Sequence, residues 1–149
     1  MKKELLNSDK ELLLKDLCAR LPYGVRMFEI EPINDIQSNL TLLSITNKES
    51  VICITPSGGV IGSSIDAFKP YLFPLSSMTK EQKEELKSLG WNFDNFEIHN
   101  VSECLGTYRE YVAHSDCFVL IDWFNKNHFD YRGLIPMGLA IDATELNIY

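Results

Sequence analysis

Five residues within one ten-residue stretch, Trp123, His128, Asp130, Tyr131 and Arg132, gather the side chains best suited to chemistry in this chain. His128 offers a base that titrates near neutrality, Asp130 a carboxylate, Tyr131 a phenol and Arg132 a guanidinium, the kinds of group that acid–base catalysis uses. A catalytic site also needs such groups to converge on one cavity, and consecutive residues leaving a helix project in different directions. The spacing therefore favours a structural reading. His128 and Asp130 end a helix, with a basic group near its negative C-terminal end, while Phe129 and Tyr131 fill the core. No catalytic residue is assigned from this pattern. Trp, Tyr and Arg are also the residue types that dominate interface hot spots, so Trp123, His128, Asp130, Tyr131 and Arg132 form the expected binding surface. Trp123 lies at the edge of an apolar helical face next to Val119, where the core, or else a partner, would cover it.

The remaining chemistry-bearing residues are scattered. His99 and His114 stand alone, and Cys18, Cys53, Cys104 and Cys117 show no CxxC pairing and no histidine at ligand spacing, so no metal site is expected. Cys18 and Cys117 fall within apolar helical patterns, where a free cysteine behaves as a small hydrophobe. Cys104, beside Glu103, lacks the electropositive company that activates a thiol. Gly58, Gly59 and Gly62 invite a phosphate-loop reading, but no GxxxxGK[ST] pattern follows and a turn explains them. No cofactor is expected.

Charge narrows the partners. The chain of 149 residues carries a net charge of −7, and residues 90–149 hold nine acids against only Arg109, Lys126 and Arg132. Such a surface repels a phosphate backbone, so direct binding to nucleic acid is not expected. The N-terminus enters a charged amphipathic pattern without an apolar run long enough for a signal peptide or a membrane span, which points to the cytoplasm and to reduced thiols. With 45% hydrophobic and 23% charged residues in a chain of this length, one folded domain over 1–149 is expected.

The elements that must position these residues can be read in order. Ser8 and Glu11 match a capping box for a helix over 9–21 with Leu13, Leu14, Leu17 and Leu21 on one face, stopped by Pro22 and Gly24. A short strand fits Val25–Glu31, and Leu40–Thr46 with Val51–Thr55 reads as a central hairpin about Asn47–Ser50. Pro56–Gly59 turns the chain into another strand at Val60 and Ile61, and Asp66–Met78, with Pro70 and Pro74, reads as an extended crossing segment. Thr79 and Gln82 cap a charged surface helix over 80–89, ended by Gly90, and Trp91–Cys104 reads as a loop and a short strand. A third helix, mostly buried, is expected over 115–127, and Gly133, Pro136 and Gly138 mark turns. The fold class is α+β: a small, mostly antiparallel sheet of about three to five strands with an N-terminal helix and two further helices. The stretch from Val25 to Ile65 has the option of curling into a small barrel.

Three blocks carry a resemblance. Lys15-Asp16-Leu17-Cys18-Ala19-Arg20-Leu21-Pro22-Tyr23-Gly24-Val25, Lys69-Pro70-Tyr71-Leu72-Phe73-Pro74-Leu75-Ser76-Ser77-Met78-Thr79, and Asn127-His128-Phe129-Asp130-Tyr131-Arg132-Gly133-Leu134-Ile135 with Gly138-Leu139-Ala140 resemble small proteins encoded in phages, prophages and related mobile elements of gut Bacteroidales. The resemblance implies a cytoplasmic accessory protein of a mobile element, or one carried by a virion. It brings no activity and no catalytic residues, and Asn92–His114 has no counterpart in it. The expected function is a non-enzymatic interaction with a host or phage protein. One alternative is a small hydrolase or transferase using His128 and Asp130. Another is an acidic nucleic-acid mimic acting through Asp94, Glu97, Glu103 and Glu110.

Overall fold

The computed structural model describes residues 4–31, 39–47, 49–91 and 114–149, with the backbone alone given over 114–117. It is an α+β fold. Its elements are α1 (Asn7–Arg20), β1 (Arg26–Glu29), β2 (Leu40–Thr46), β3 (Ser50–Ile54), β4 (Val60–Ser64), β5 (Phe68–Leu72), α2 (Lys80–Ser88), α3 (His114–Lys126) and β6 (Ile141–Asp142). The six strands form one open mixed sheet in the order β4-β3-β2-β1-β5-β6, so the stretch after Val25 does not close into a barrel. All pairings are antiparallel except that of β5 with β6.

The sheet exceeds the expected three to five strands because of β5 and β6, and β5 runs through the proline-rich stretch read as a crossing segment. Pro70 is tolerated there for a geometric reason. Ile30 N donates to Ala67 O at 2.9 Å, which places the Phe28–Lys69 pair in hydrogen-bonded register and leaves Met27–Pro70 between bonds. The proline nitrogen thus faces away from β1, toward β6, which pairs only from Tyr71 onward. In β2, the register steps from Leu42–Cys53 to Ser44–Ile52, so Leu43 is the extra residue of a bulge and points to solvent. The step turns Ile45 inward to join Leu40 and Leu42 on the core face.

Helix α1 contributes Leu13 and Leu17 to the core cluster that also holds Val25, Met27, Leu40, Leu42, Val51, Phe68 and Leu72 from the sheet side. Its start departs from the sequence reading. Leu6 keeps an extended backbone and occupies the cap position without a side-chain hydrogen bond, so Ser8 already lies inside the first turn and the Ser8–Glu11 capping box does not form. Cys18, expected in the apolar pattern, is exposed.

Beyond the end of the sheet, α2, α3 and the chain after α3 enclose a second apolar cluster of Leu75, Met78, Leu86, Trp91, Leu120, Trp123, Phe124, Phe129 and Tyr131. The Thr79–Gln82 capping box does form, with Gln82 N donating to Thr79 Oγ1 at 3.2 Å and Thr79 N to Gln82 Oε1 at 2.8 Å. Helix α3 is less buried than its pattern suggested: Leu120, Trp123, Phe124 and Asn125 face inward, whereas Phe118, Val119, Asp122 and Lys126 face solvent. The expected loop and strand over 92–104 and the side chains of Cys104 and Cys117 lie outside the described residues.

Candidate functional site

Both long-range ends of the second cluster are set by how helices stop. At the end of α2, Gly90 N donates to Lys87 O and Trp91 N to Leu86 O, the paired bonds of a Schellman motif with glycine in the left-handed position. Helix α3 ends the same way: His128 N donates to Asn125 O at 3.2 Å and Phe129 N to Phe124 O at 2.9 Å. Here the left-handed position, φ +62°, belongs to His128, where a side chain is strained and glycine would not be. The accompanying apolar contact is Phe124 against Phe129, with ring centroids 6.3 Å apart.

The His128 ring is held by Tyr149, stacked at 3.9 Å between centroids and 12° between planes. Tyr149 is itself fixed by its hydroxyl, which accepts from Arg26 N at 2.9 Å and donates to Tyr71 O at 2.7 Å. Arg26 and Tyr71 are the next pair in the β1–β5 register. The hydroxyl therefore stands between two backbone groups that would otherwise bond directly. Burial, together with the nearby positive charges of Arg20 and Arg26, lowers the His128 pKa to about 4, so the ring is neutral at pH 7. The expected basic group at the helix end is therefore absent in the charged sense. Burial also raises the Tyr149 phenol above its ordinary value.

Asp130 is committed to the backbone. Leu134 N donates to its Oδ1 and Ile135 N to its Oδ2, both at 2.8 Å, and Asp130 N donates to Phe73 O. Both carboxylate oxygens thus cap the turn that carries Pro136 and Gly138. Trp123, 5% exposed, lies parallel to the Phe129 ring at 5.6 Å and belongs to the core. Tyr131 is buried, with Arg20 Cζ at 5.2 Å and Arg132 Cζ at 5.0 Å from its ring centroid. Of the five residues singled out from sequence, the structure brings Tyr131 and Arg132 together, but through a pair that sequence reading missed. Asp16 and Arg20 are fully buried on α1, joined by Arg20 Nε to Asp16 Oδ2 at 2.7 Å. Arg20 also donates to Phe129 O at 2.6 Å, and Arg132 Nε lies 3.4 Å from Asp16 Oδ1. One carboxylate and two guanidiniums thus fasten α1 to the chain leaving α3. The signal for this pair was present: Asp16 and Arg20 fall at helical spacing on the side of Leu13 and Leu17.

Among the described residues, a concave apolar surface lies elsewhere. A cleft of about 520 Å³ opens between the start of α1, the end of β1, β5 and the Met137–Leu139 turn. That size lies within the range of about 300–1,000 Å³ usual for ligand pockets. Its floor is apolar, with Leu13, Phe68 and Leu139 all buried, and Leu6 and Met137 stand at its rim with 70% and 49% of their surface exposed. The polar lining is Glu4, Asp9, Asp66 and Lys69. Lys10 spans two of the acids, 3.7 Å from Glu4 Oε1 and 3.4 Å from Asp66 Oδ2. Burial alone would raise the Asp66 carboxyl, but the Ser64 hydroxyl at 2.6 Å, its own backbone amide and Lys10 outweigh burial and hold it below its ordinary value. Gly138, at φ +73°, gives the turn its left-handed step.

This lining brings in neither His128 nor Asp130, and no histidine or cysteine. A second cavity of similar volume, between Pro74–Ser77 and Asp142–Leu146, is more open to solvent, and its Asp142 carboxylate already accepts from Thr144. Burial, then the charge of Glu29, pushes the Cys53 thiol up to about 12, leaving it unreactive. No three His, Cys, Asp or Glu side chains among the described residues are grouped as a metal ion would require, and no described helix is long and apolar enough to cross a membrane. Comparison of the chain with protein-family models, curated proteins and solved structures found no match in any of the three.

Proposed function

We propose that this chain is a non-enzymatic interaction protein that seats an apolar segment of a partner protein in the cleft beside α1. The observation that carries this reading is the pairing of a buried apolar floor with the exposed Leu6 and Met137 at its rim. Large apolar side chains exposed together at the edge of a concave apolar surface fit a contact site. Acid–base chemistry is poorly served by the lining, where two of the three carboxylates share Lys10. The hydrolase alternative is weakened by the engagement of both Asp130 oxygens with backbone amides. The acids of the nucleic-acid-mimic alternative, Asp94, Glu97, Glu103 and Glu110, lie outside the described residues. The three resembling blocks support a setting in which the chain is a cytoplasmic or virion-carried accessory of a phage or mobile element and its partner is a host or phage protein.

A tagged pull-down from host lysate tests the surface. Wild type and Arg132→Ala should retain the same partner, and Leu6→Arg/Met137→Arg should lose it while keeping the wild-type circular dichroism spectrum. A partner retained by the folded cleft variant and lost by Arg132→Ala would move the contact to the 128–132 region.

A further inference from the structure

We infer that the free edge of the sheet at β4 pairs with β4 of a second copy of this chain, antiparallel about a two-fold axis through Gly62. The inference goes beyond the reading of the cleft and stands without it. Strand β4 ends the sheet and, among the described residues, pairs with β3 alone. Thr55 N donates to Gly59 O at 2.8 Å and Ile65 N to Glu49 O at 2.7 Å, which puts residues 59, 61, 63 and 65 in hydrogen-bonded register with β3. The N–H and C=O groups of Val60, Gly62 and Ser64 therefore point away from β3, and all three residues are exposed, Val60 by 62%. The devices that normally close a sheet edge are lacking on this one. Residues 57–65 include no charge and no proline, and the β3–β4 register runs without a bulge.

The unpaired groups specify an extended strand as the occupant, because a strand offers backbone partners at every second residue. The β4 sequence supplies such a strand to itself. About an axis through Gly62, Val60 faces Ser64 of the second copy, Gly62 faces Gly62 and Ser64 faces Val60, each pair exchanging two hydrogen bonds. Charge permits this register. The nearest charges in the sheet, Glu49 with its sequence neighbour Lys48 and the Lys10–Asp66 pair, belong to the Ser64 end. Across the axis that end meets the uncharged Thr55–Gly59 turn of the other copy, so no like charges are set opposite each other. The other edge strand, β6, spans only Ile141–Asp142, and a two-fold pairing uses β4 up, so assembly stops at the dimer.

The test is sedimentation velocity on the full chain from about 10 μM to about 1 mM, a range suited to the weak dimer that so short an interface makes. Dimer should grow with concentration and with added salt, because two chains of net charge −7 repel each other until screened. Gly62→Pro removes an N–H that β3 does not use, and a Cβ at this position stands 3.7 Å from Ile52 Cγ1, an ordinary contact. It should keep the wild-type circular dichroism spectrum and weaken the dimer by about tenfold or more. Val60→Glu should weaken it too, and Val60→Glu/Ser64→Lys should restore it, since position 60 faces position 64 of the other copy. Hydrogen exchange at high concentration should add protection at the Val60, Gly62 and Ser64 amides. A wild-type monomer at about 1 mM in high salt would overturn the inference. So would a dimer unaffected by both Gly62→Pro and Val60→Glu, or one in which Ser64→Lys brings no rescue.

Discussion

Asp16 and Arg20 show how a charge pair can be structural and costly at once. Both side chains are fully buried, and Arg20 reaches across to Phe129 O, so the pair ties α1 to the chain leaving α3. Removing one partner strands the other charge in a low-dielectric interior, whereas removing both leaves an apolar gap. Arg20→Met should therefore lower unfolding free energy by about 3–5 kcal/mol. Asp16→Leu/Arg20→Met should recover a large part of that loss, because Arg132, with 29% of its side chain exposed, can turn to water. Urea denaturation of the two variants checks the order. A double variant weaker than Arg20→Met would mean that the pair contributes more than mutual neutralisation. Neither residue stood out in sequence, because an acid and a base four apart on a helix usually form a solvated pair. Their burial depends on the distant Tyr131 and Phe129.

At the scale of elements, local chemistry was legible where the chain answers only to its near neighbours. Thr79 with Gln82, and Gly90 at the end of α2, behave as their spacing predicts. Ser8 with Glu11 has the same signature and fails, because the extended residue is Leu6 and the helix has already begun at Asn7. Strand β5 was hidden by Pro70, whose harmlessness depends on a hydrogen-bond register with β1 that no local pattern encodes. The end of α3 carries a pH dependence of its own. With its pKa lowered to about 4 against an ordinary 6.5, His128 prefers to be neutral in the folded chain, so the unfolded chain binds more protons between these values. Stability from this residue is present above about pH 6.5 and is lost as pH falls toward 4, by about 1–2 kcal/mol once solvent screening of a partly exposed ring is allowed for. Asn tolerates the left-handed backbone and does not titrate. His128→Asn should thus show a smaller fall in melting temperature between pH 7 and pH 5 than wild type, and an equal fall would place the acid sensitivity elsewhere.

Across the whole molecule, the α+β class, the N-terminal helix, the β2–β3 hairpin and two further helices could be read in advance, but the cleft could not. Its walls come from residues 4–13, Ile30, 66–69 and 137–139, segments with no shared motif and no sequence proximity. The residues that did attract attention, His128, Asp130 and Trp123, were conspicuous because helix ends and aromatic cores concentrate such side chains, and the fold uses them in that way. The only hint of the cleft in sequence was an apolar Met137 between Pro136 and Gly138, in a turn where a polar residue is usual. Methyl-resolved NMR during titration with an amphipathic peptide built from Leu and Ser shows directly whether this cleft receives an apolar segment. Shifts concentrated at Leu5, Leu6, Ile30, Met137 and Leu139, with Leu43, Val60 and Leu146 unmoved, are the predicted result. Shifts at Leu43, Val60 or Leu146 with the cleft methyls silent, or no shifts at all, would contradict it.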